Sequence, residues 1–418
     1  MVERNWSGTL TYSADVVRPS TLDEVRDLVT GHDRVRILGT RHSFSAIGDT
    51  DGLLVDLTGI APDLAFDDAS GEVSFTSGAR YADVVPFLQR RGRALPNTGS
   101  LPHINVAGAV STGTHGSGDR LRNLSSAVRE VQLLTGTGEH VTLRRGEDPD
   151  FAGAVVALGA LGVVTRLTLA TEPTYDVRQD AYVRLGWASL LADPDAVLGA
   201  GYSVSVFTDW DGAPIPETVV KRRLGGDADA AVPLLGVDPV GEWGGDSRIS
   251  SEAESLTARG VSGPWHERLP HFRIERPPSH GAELQSEWFV PRERTAEALE
   301  AVSAVGAGLR DALIVSEIRT MAADDLWLSP GFGRDSLCLH FTWRPDHAVV
   351  RPAVRLVEEA LASLDARPHW GKVFDLEAFD VDAAYPRAAE FRSLAERFDP
   401  QGRFRNDFLD RTVWVRHR

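Results

Sequence analysis

Cysteine is nearly missing from this chain: Cys338 is the one example in 418 residues. An internal disulfide is therefore excluded, and the composition suits a reducing compartment such as the cytoplasm. No apolar run approaches the roughly 18 residues of a membrane-crossing helix. Residues 1–15 lack the apolar core of a secretion signal, so neither export nor a membrane partner is expected. Basic charge is also in short supply. The formal net charge is −16, which argues against nucleic acid and other polyanionic partners. Several motifs are missing as well. There is no G-x-x-x-x-G-K-[ST] phosphate loop, no G-x-G-x-x-G behind a strand, no H-E-x-x-H or paired C-x-x-C, and no G-x-S-x-G. P-loop chemistry, a Rossmann dinucleotide site, a zinc centre and a serine-hydrolase elbow thus lack their usual signatures, and no metal is expected.

What remains is an ordinary globular composition, 42% hydrophobic and 25% charged. The length exceeds one core of common size, so two domains are expected. The first informative stretch is Ile37-Leu-Gly-Thr-Arg-His-Ser-Phe-Ser45. A β-branched run delivers the chain into Gly39, then into a histidine flanked by hydroxyl residues, which reads as a strand entering a tight loop. Thr40, Ser43 and successive backbone N–H groups suit a phosphate, with His42 beside whatever carries it. A plain strand-to-loop turn with a surface histidine reads equally well from these residues alone.

Ahead of it, Thr21-Leu-Asp-Glu24 reads as a capping box opening a short amphipathic helix. Strands are expected at 53–57, 73–76, 128–134, 140–143 and 159–169, and helices at 81–89 and 148–158. The segment from Leu95 to Gly118 holds five glycines and two prolines. It is too long and biased for a simple connection, and its apolar Val106, Ala107 and Val110 argue against disorder. A buried segment of this kind lets another molecule lie flat on the backbone. Pro173 marks a domain boundary.

Beyond it, strands are expected at 202–207 and 283–290, a helix from Pro291 to Leu309 with proline in its first turn, and surface loops over 224–281 with Trp243 and Trp265. In Ala312–Thr320, a period of two puts Val315, Glu317 and Arg319 on one face. In Ser336–Trp343, Leu337, Leu339 and Phe341 share one face and Cys338, His340 and Thr342 the other. Such half-polar faces are either wet or lined by partners. A helix over 354–364 leads to Arg367-Pro-His-Trp-Gly-Lys-Val-Phe374, a rigid turn presenting Lys372, and a helix over 383–398 to Asp399-Pro-Gln-Gly-Arg-Phe-Arg-Asn406.

Together these pieces resemble the vanillyl-alcohol oxidase family of flavoproteins. Residues 37–43 resemble its pyrophosphate loop, whose histidine often carries FAD covalently. Ser100–Gly118 is similar to its second flavin loop, and Gly159–Thr165 and Asp399–Asn406 match its habits. Within the family, Gly263–Phe272, Glu317-Ile-Arg319, His340–Trp343 and His369-Trp-Gly-Lys372 resemble the bacterial alditol oxidases. The resemblance implies an α+β architecture: an FAD domain over residues 1–175, a substrate domain over 176–365 whose antiparallel sheet covers the flavin, and a segment, 366–418, completing the first. It implies FAD attached through His42 and lined by Ile37, Leu38, Gly39, Thr40, Arg41, Ser43, Ser100, Asn105, Gly108, Ala109, Val110, Ser111, Val164 and His369. It implies that Ser100, Glu317, Arg319, His340, Thr342 and Lys372 bind a polyol, with Lys372, Arg319 and Glu317 catalytic and O2 as acceptor, in a monomer. Two positions depart from the pattern: Arg41 replaces a small residue and Asn105 a serine. Lys372 suits either a cation stabilising an alkoxide or, if neutral, a base. An aldonolactone oxidase, a flavin dehydrogenase and a flavin carrier without oxidase activity are the alternatives.

Overall fold

The computed structural model describes residues 3–225, 230–241, 247–250, 252–276 and 281–415. Trp243 and parts of the 224–281 stretch lie outside the described residues. Near the start, Val16–Val17, Leu53–Asp56 and Val35–Leu38 pair in parallel. The Leu22–Gly31 helix buries Val25 and Val29 against them. Thr21 caps this helix by accepting from Glu24 N, but the Glu24 carboxylate reaches back to Ser20 N rather than Thr21 N. A five-stranded antiparallel sheet follows, in the order Ala65–Asp67, Glu72–Thr76, Val163–Ala170, Val128–Leu134, His140–Arg144.

The second large sheet has eight strands, all antiparallel, drawn from residues 176–368. Leu313–Met321, Ser336–Trp343 and Leu284–Pro291 lie side by side in it, followed by the edge strand Arg367–Pro368. Alternation decides what each face does. Ile318, Leu337, Leu339 and Phe341 pack with Leu299, Val302, Val354 and Val357 of the helices Thr295–Leu309 and His347–Leu361. Each such side chain contributes about 1.5–3 kcal/mol on burial, and trimming Leu339 to alanine costs about 2–5 kcal/mol. The opposite face turns its polar side chains toward the rest of the molecule. The last segment returns there: Trp370, Phe374, Tyr385, Phe391 and Phe408 share one core with Val73, Phe75, Val131 and Leu167.

Several expectations need correcting. The glycine-rich stretch is not all loop; Val106–Ser111 is helical, because Asn105 caps it by accepting from Gly108 N. Pro291 ends a strand instead of opening a helix, and the helix starts at Thr295 after a turn. The 148–158 helix shrinks to Phe151–Val155. The 354–364 helix begins earlier, at His347, capped by Asp346. The last helix is split into Val381–Ala384 and Ala388–Phe398. Pro386 lies in the break: a proline cannot donate to the helical ladder and disfavours helical geometry before it.

Candidate active site

A cavity of about 730 Å³ lies between the glycine-rich segments and the polar face of the eight-stranded sheet. Residues 37–43 form one wall. Gly39 is required there, because a Cβ would sit 2.8 Å from Asn105 Cβ. Asn105 locks the neighbourhood: its N donates to Thr40 Oγ1 at 2.9 Å and its Nδ2 to the Ser77 and Ala79 carbonyls. Arg41 has a left-handed φ of 61°, a geometry that favours glycine. Its guanidinium turns away to Glu3 and Asp56. The His42 ring stacks on Trp6 at 5.1 Å. The loop is pinned from the far end of the chain: Phe44 N donates to Gly371 O at 2.7 Å and Ser45 Oγ to Trp370 O at 2.8 Å.

The opposite wall is the sheet. Glu317 is the register partner of His340, and His340 of Glu287, so three polar side chains stand abreast. The Glu287 carboxylate is 1% exposed and accepts from Arg319 at 2.6 Å, Lys372 Nζ at 2.8 Å and His115 Nε2 at 3.0 Å. Burial alone would raise its pKa, but Lys372, Arg319 and His115 outweigh burial and hold it well below the usual carboxylate range. Glu317 contacts His271 Nε2 at 3.2 Å and Arg319 Nε at 3.5 Å, and it too is held low against its burial. Burial pulls the Lys372 ammonium down, against Glu287. Burial and the Lys372 cation push His340 down to about 3. His115 and His369 are also lowered, chiefly by burial. His340 is therefore neutral at neutral pH, whereas both ring nitrogens of His115 face acceptors, Gly116 O at 2.7 Å and Glu287 Oε1 at 3.0 Å. Glu287 and Glu317 thus face Arg319 and Lys372, and Glu283, whose carboxyl burial raises, lines the same wall, which is rich in hydrogen-bonding atoms. The His340 Nε2 is buried and has no protein partner among the described residues.

Of the residues singled out in the sequence, Ile37 to Ser43, Ser100, Asn105, Gly108, Ala109, Ser111, Val164, Glu317, Arg319, His340, Thr342, His369 and Lys372 all line this one cavity. Val110 does not. It is 2% exposed and packs in the hydrophobic core, on the far side of its short helix. The sequence reading passed over Glu287, His115 and His271 as single residues. The same period of two that selected Glu317 would have selected Gln285 and Glu287 in the strand expected at 283–290.

Comparison with known proteins identifies the family. A family model described as an FAD binding domain matches residues 13–144, and one described as D-arabinono-1,4-lactone oxidase matches residues 282–412. An alditol oxidase of Streptomyces sp. (strain IKD472) is 44% identical over 416 residues, covering 97% of each chain. The chain belongs to the alditol oxidases of the FAD-linked oxidase family. An L-gulono-1,4-lactone dehydrogenase of Mycobacterium tuberculosis is 29% identical over 98% of each chain. The crystal structure of cholesterol oxidase from B. sterolicum superposes with a TM-score of 0.80, covering 99% of this chain and 96% of the other. At 15% identity, that likeness shows the fold alone.

The family's cofactor fits the cavity. A Cβ at Gly108 would meet only Asn105 Oδ1, at 3.6 Å, so the volume a side chain would fill there belongs to the cavity. Ser77 Oγ lines the same wall, buried and without a protein partner among the described residues. A flat heterocycle with polar edges matches such a bare, hydroxyl-studded wall. None of the described helices is long and apolar enough to cross a membrane, and no group of His, Cys, Asp and Glu among the described residues suits a metal ion.

Proposed function

We propose that this protein oxidises the terminal primary hydroxyl of a linear alditol, such as xylitol or sorbitol, to the aldose, with O2 reduced to H2O2. The observation that carries the proposal is the densely polar wall of paired charges, Glu287, Glu317, Arg319, His340 and Thr342 on the sheet and Lys372 on the adjoining turn, facing the flavin cradle. A polyol is neutral and offers a hydroxyl at every carbon. A site of paired charges can bind those hydroxyls, and it rejects substrates that leave its polar groups unpaired. The near full-length identity to an alditol oxidase supports the same reading.

FAD would be held by residues 37–43, Ser100, Asn105, Gly108, Ala109, Ser111, Val164 and His369, with His42 as its attachment point, and would supply the hydride acceptor whose electrons go on to O2. The protein's own residues do the rest. Glu317 and Thr342 orient the polyol by accepting and donating hydrogen bonds. Arg319 and Lys372 stand together beside Glu287, which keeps the buried ammonium protonated. We assign Lys372 as a cation that stabilises the developing alkoxide. The open Nε2 of neutral His340 serves as a hydrogen-bond acceptor for the reacting hydroxyl's chain.

The test is peroxide release across a panel of alditols, sugars and lactones, with flavin fluorescence followed on a denaturing gel. Alditol turnover and fluorescence that vanishes in His42→Ala are expected. Turnover of an aldonolactone but of no alditol would instead favour a lactone oxidase, the reading suggested by the model matched at 282–412. Reduction by an alditol without reoxidation in air would mark a dehydrogenase. The lone cysteine, buried at Cys338, supports a cytoplasmic setting.

A further inference from the structure

From the cavity-lining His271, beside Glu317, a line of buried polar groups runs back to Lys221, with no counterpart in the reaction described above. Lys221 is 2% exposed, on the strand Glu217–Arg223. Its Nζ donates to Leu269 O at 2.5 Å and lies 3.3 Å from His271 Nδ1. The other ring nitrogen, His271 Nε2, lies 3.2 Å from Glu317 Oε1. An ammonium has donors and no acceptor. With Lys221 charged, His271 must accept at Nδ1 and carry its proton at Nε2, where it donates to the Glu317 carboxylate. The same histidine acts through its backbone: His271 N donates to Ser100 O at 3.1 Å. One residue thus grips two cavity-lining positions on different elements.

We infer that Lys221 and His271 are positioning residues: Lys221 fixes the tautomer of His271, and His271 in turn holds Glu317 Oε1, so that Glu317 Oε2, 3.5 Å from Arg319 Nε, is aimed to accept from a substrate hydroxyl as well. The inference rests on the alditol reading for its choice of substrate. It predicts a role in recognition rather than in the chemical step, because Lys221 does not line the cavity.

The charged groups facing this line are Glu317 and Arg319 on one neighbouring strand and Arg259, which is ion-paired with Glu217. Burial, with Arg259 and Arg319 opposing Glu317, brings Lys221 down to about 7. Burial and the Lys221 cation bring His271 down to about 4, so it is neutral at neutral pH. Above pH 7 the ammonium is progressively lost, and with it the requirement that Nδ1 accept. KM for the polyol therefore rises on the alkaline side while kcat does not follow it.

The experiment compares wild type, Lys221→Met and Lys221→Gln as flavin-loaded enzymes. Methionine removes the donor, whereas glutamine restores a neutral N–H that does not titrate. With xylitol, Lys221→Met should raise KM about ten-fold or more while kcat stays within about two-fold, since a hydrogen bond to a charged group is lost in binding. Lys221→Gln should recover most of that loss and flatten the pH dependence of KM. Histidine ¹⁵N spectra read the tautomer directly, with the His271 signal assigned by its disappearance in His271→Gln. Wild type should show Nε2–H. An Nδ1–H tautomer in wild type, equal losses in the methionine and glutamine variants, or a fall in kcat at constant KM would each overturn the inference. If Lys221→Met does not fold, the wild-type spectrum and Lys221→Gln decide. If wild type turns over no alditol, the functional proposal fails, and the spectra still test the relay.

Discussion

Lys372 Nζ donates to Glu287 Oε2 at 2.8 Å, across the seam between the strand Leu284–Pro291 and the turn that follows the edge strand Arg367–Pro368. Backbone hydrogen bonds bracket this contact. His369 N donates to Glu287 O at 2.9 Å and Val373 N to Gln285 O at 2.8 Å. The ammonium is therefore placed by the sheet edge, and the carboxylate that holds it charged is itself buried among three donors.

Glu287→Gln would leave Arg319 and Lys372 facing each other with one carboxylate gone. Breaking a buried ion pair from one side costs about 3–5 kcal/mol, which denaturant unfolding would register as a lower midpoint. Without its anion, Lys372 gives up its proton at lower pH, so the alkaline limb of kcat moves toward neutrality. An unmoved alkaline limb would detach Lys372 from the pH profile.

The role of the Lys372 charge separates two variants. Lys372→Met should keep bound flavin and lose on the order of 10²-fold or more in kcat, as when an oxyanion donor is removed. Lys372→Arg keeps the cation and should retain part of the rate. If the arginine variant is as inactive as the methionine variant, Lys372 is acting as a base.

Gly108→Leu offers a structural test of the cradle. The added side chain points into open cavity, not into protein, and leucine favours a helix over glycine by roughly 0.8–1 kcal/mol. The variant should fold with an unchanged or higher melting temperature and emerge colourless. Normal flavin content would show that the cofactor lies elsewhere.

Acid should weaken the fold in two stages. His271 and His340 have folded pKa values lowered to about 4 and about 3, and His115 and His369 are lowered too. Below the unfolded value of about 6.5, the unfolded chain takes up protons that the folded chain refuses, and stability falls by about 1.4 kcal/mol per pH unit for each such histidine. Glu287 and Glu317, held low in the fold, add stability above about pH 4.3 that is lost only below it. Melting temperatures between about pH 7.5 and about pH 5 should therefore drop, since the lowered histidines outnumber the two carboxyls that oppose them, Glu358 and Asp324, which burial raises to about 7 and about 6, and His340→Gln should lessen the slope. A flat profile over that range would place charged histidines in the folded state.

Much of this was legible in the sequence because strand alternation is a local rule. Glu317, Arg319, His340 and Thr342 were on the right faces of the right strands, and Leu337, Leu339 and Phe341 on the core side. Helix ends were less legible. The break at Pro386 and the early start at His347 depend on capping and packing that single-sequence periodicity does not weigh. The resemblance places Val110 in the lining with the rest of Gly108–Ser111, but Val106, Ala107, Ala109 and Val110 of that helix are all buried, and the composition of a glycine-rich stretch does not say which of them face the core. Glu287, His115, His271 and Lys221 escaped because their meaning lies in each other. They sit on separate elements, and only the folded arrangement brings His115 Nε2 to Glu287 or Lys221 to His271.

The pinning of residues 44–49 by the far end of the chain has a consequence for biosynthesis. Trp370 and Gly371 hold Ser45 and Phe44, and Asn406 Nδ2 donates to the Ile47 and Asp49 carbonyls. Arg36 donates to Phe404 O as well as to Leu158 O and Ile47 O. While the ribosome is still making the middle of the protein, the loop carrying His42 lacks the anchors that Trp370, Gly371, Phe404 and Asn406 supply. The pocket becomes whole only when nearly all of the nascent chain has emerged, so cofactor capture belongs to the finished polypeptide and not to its synthesis.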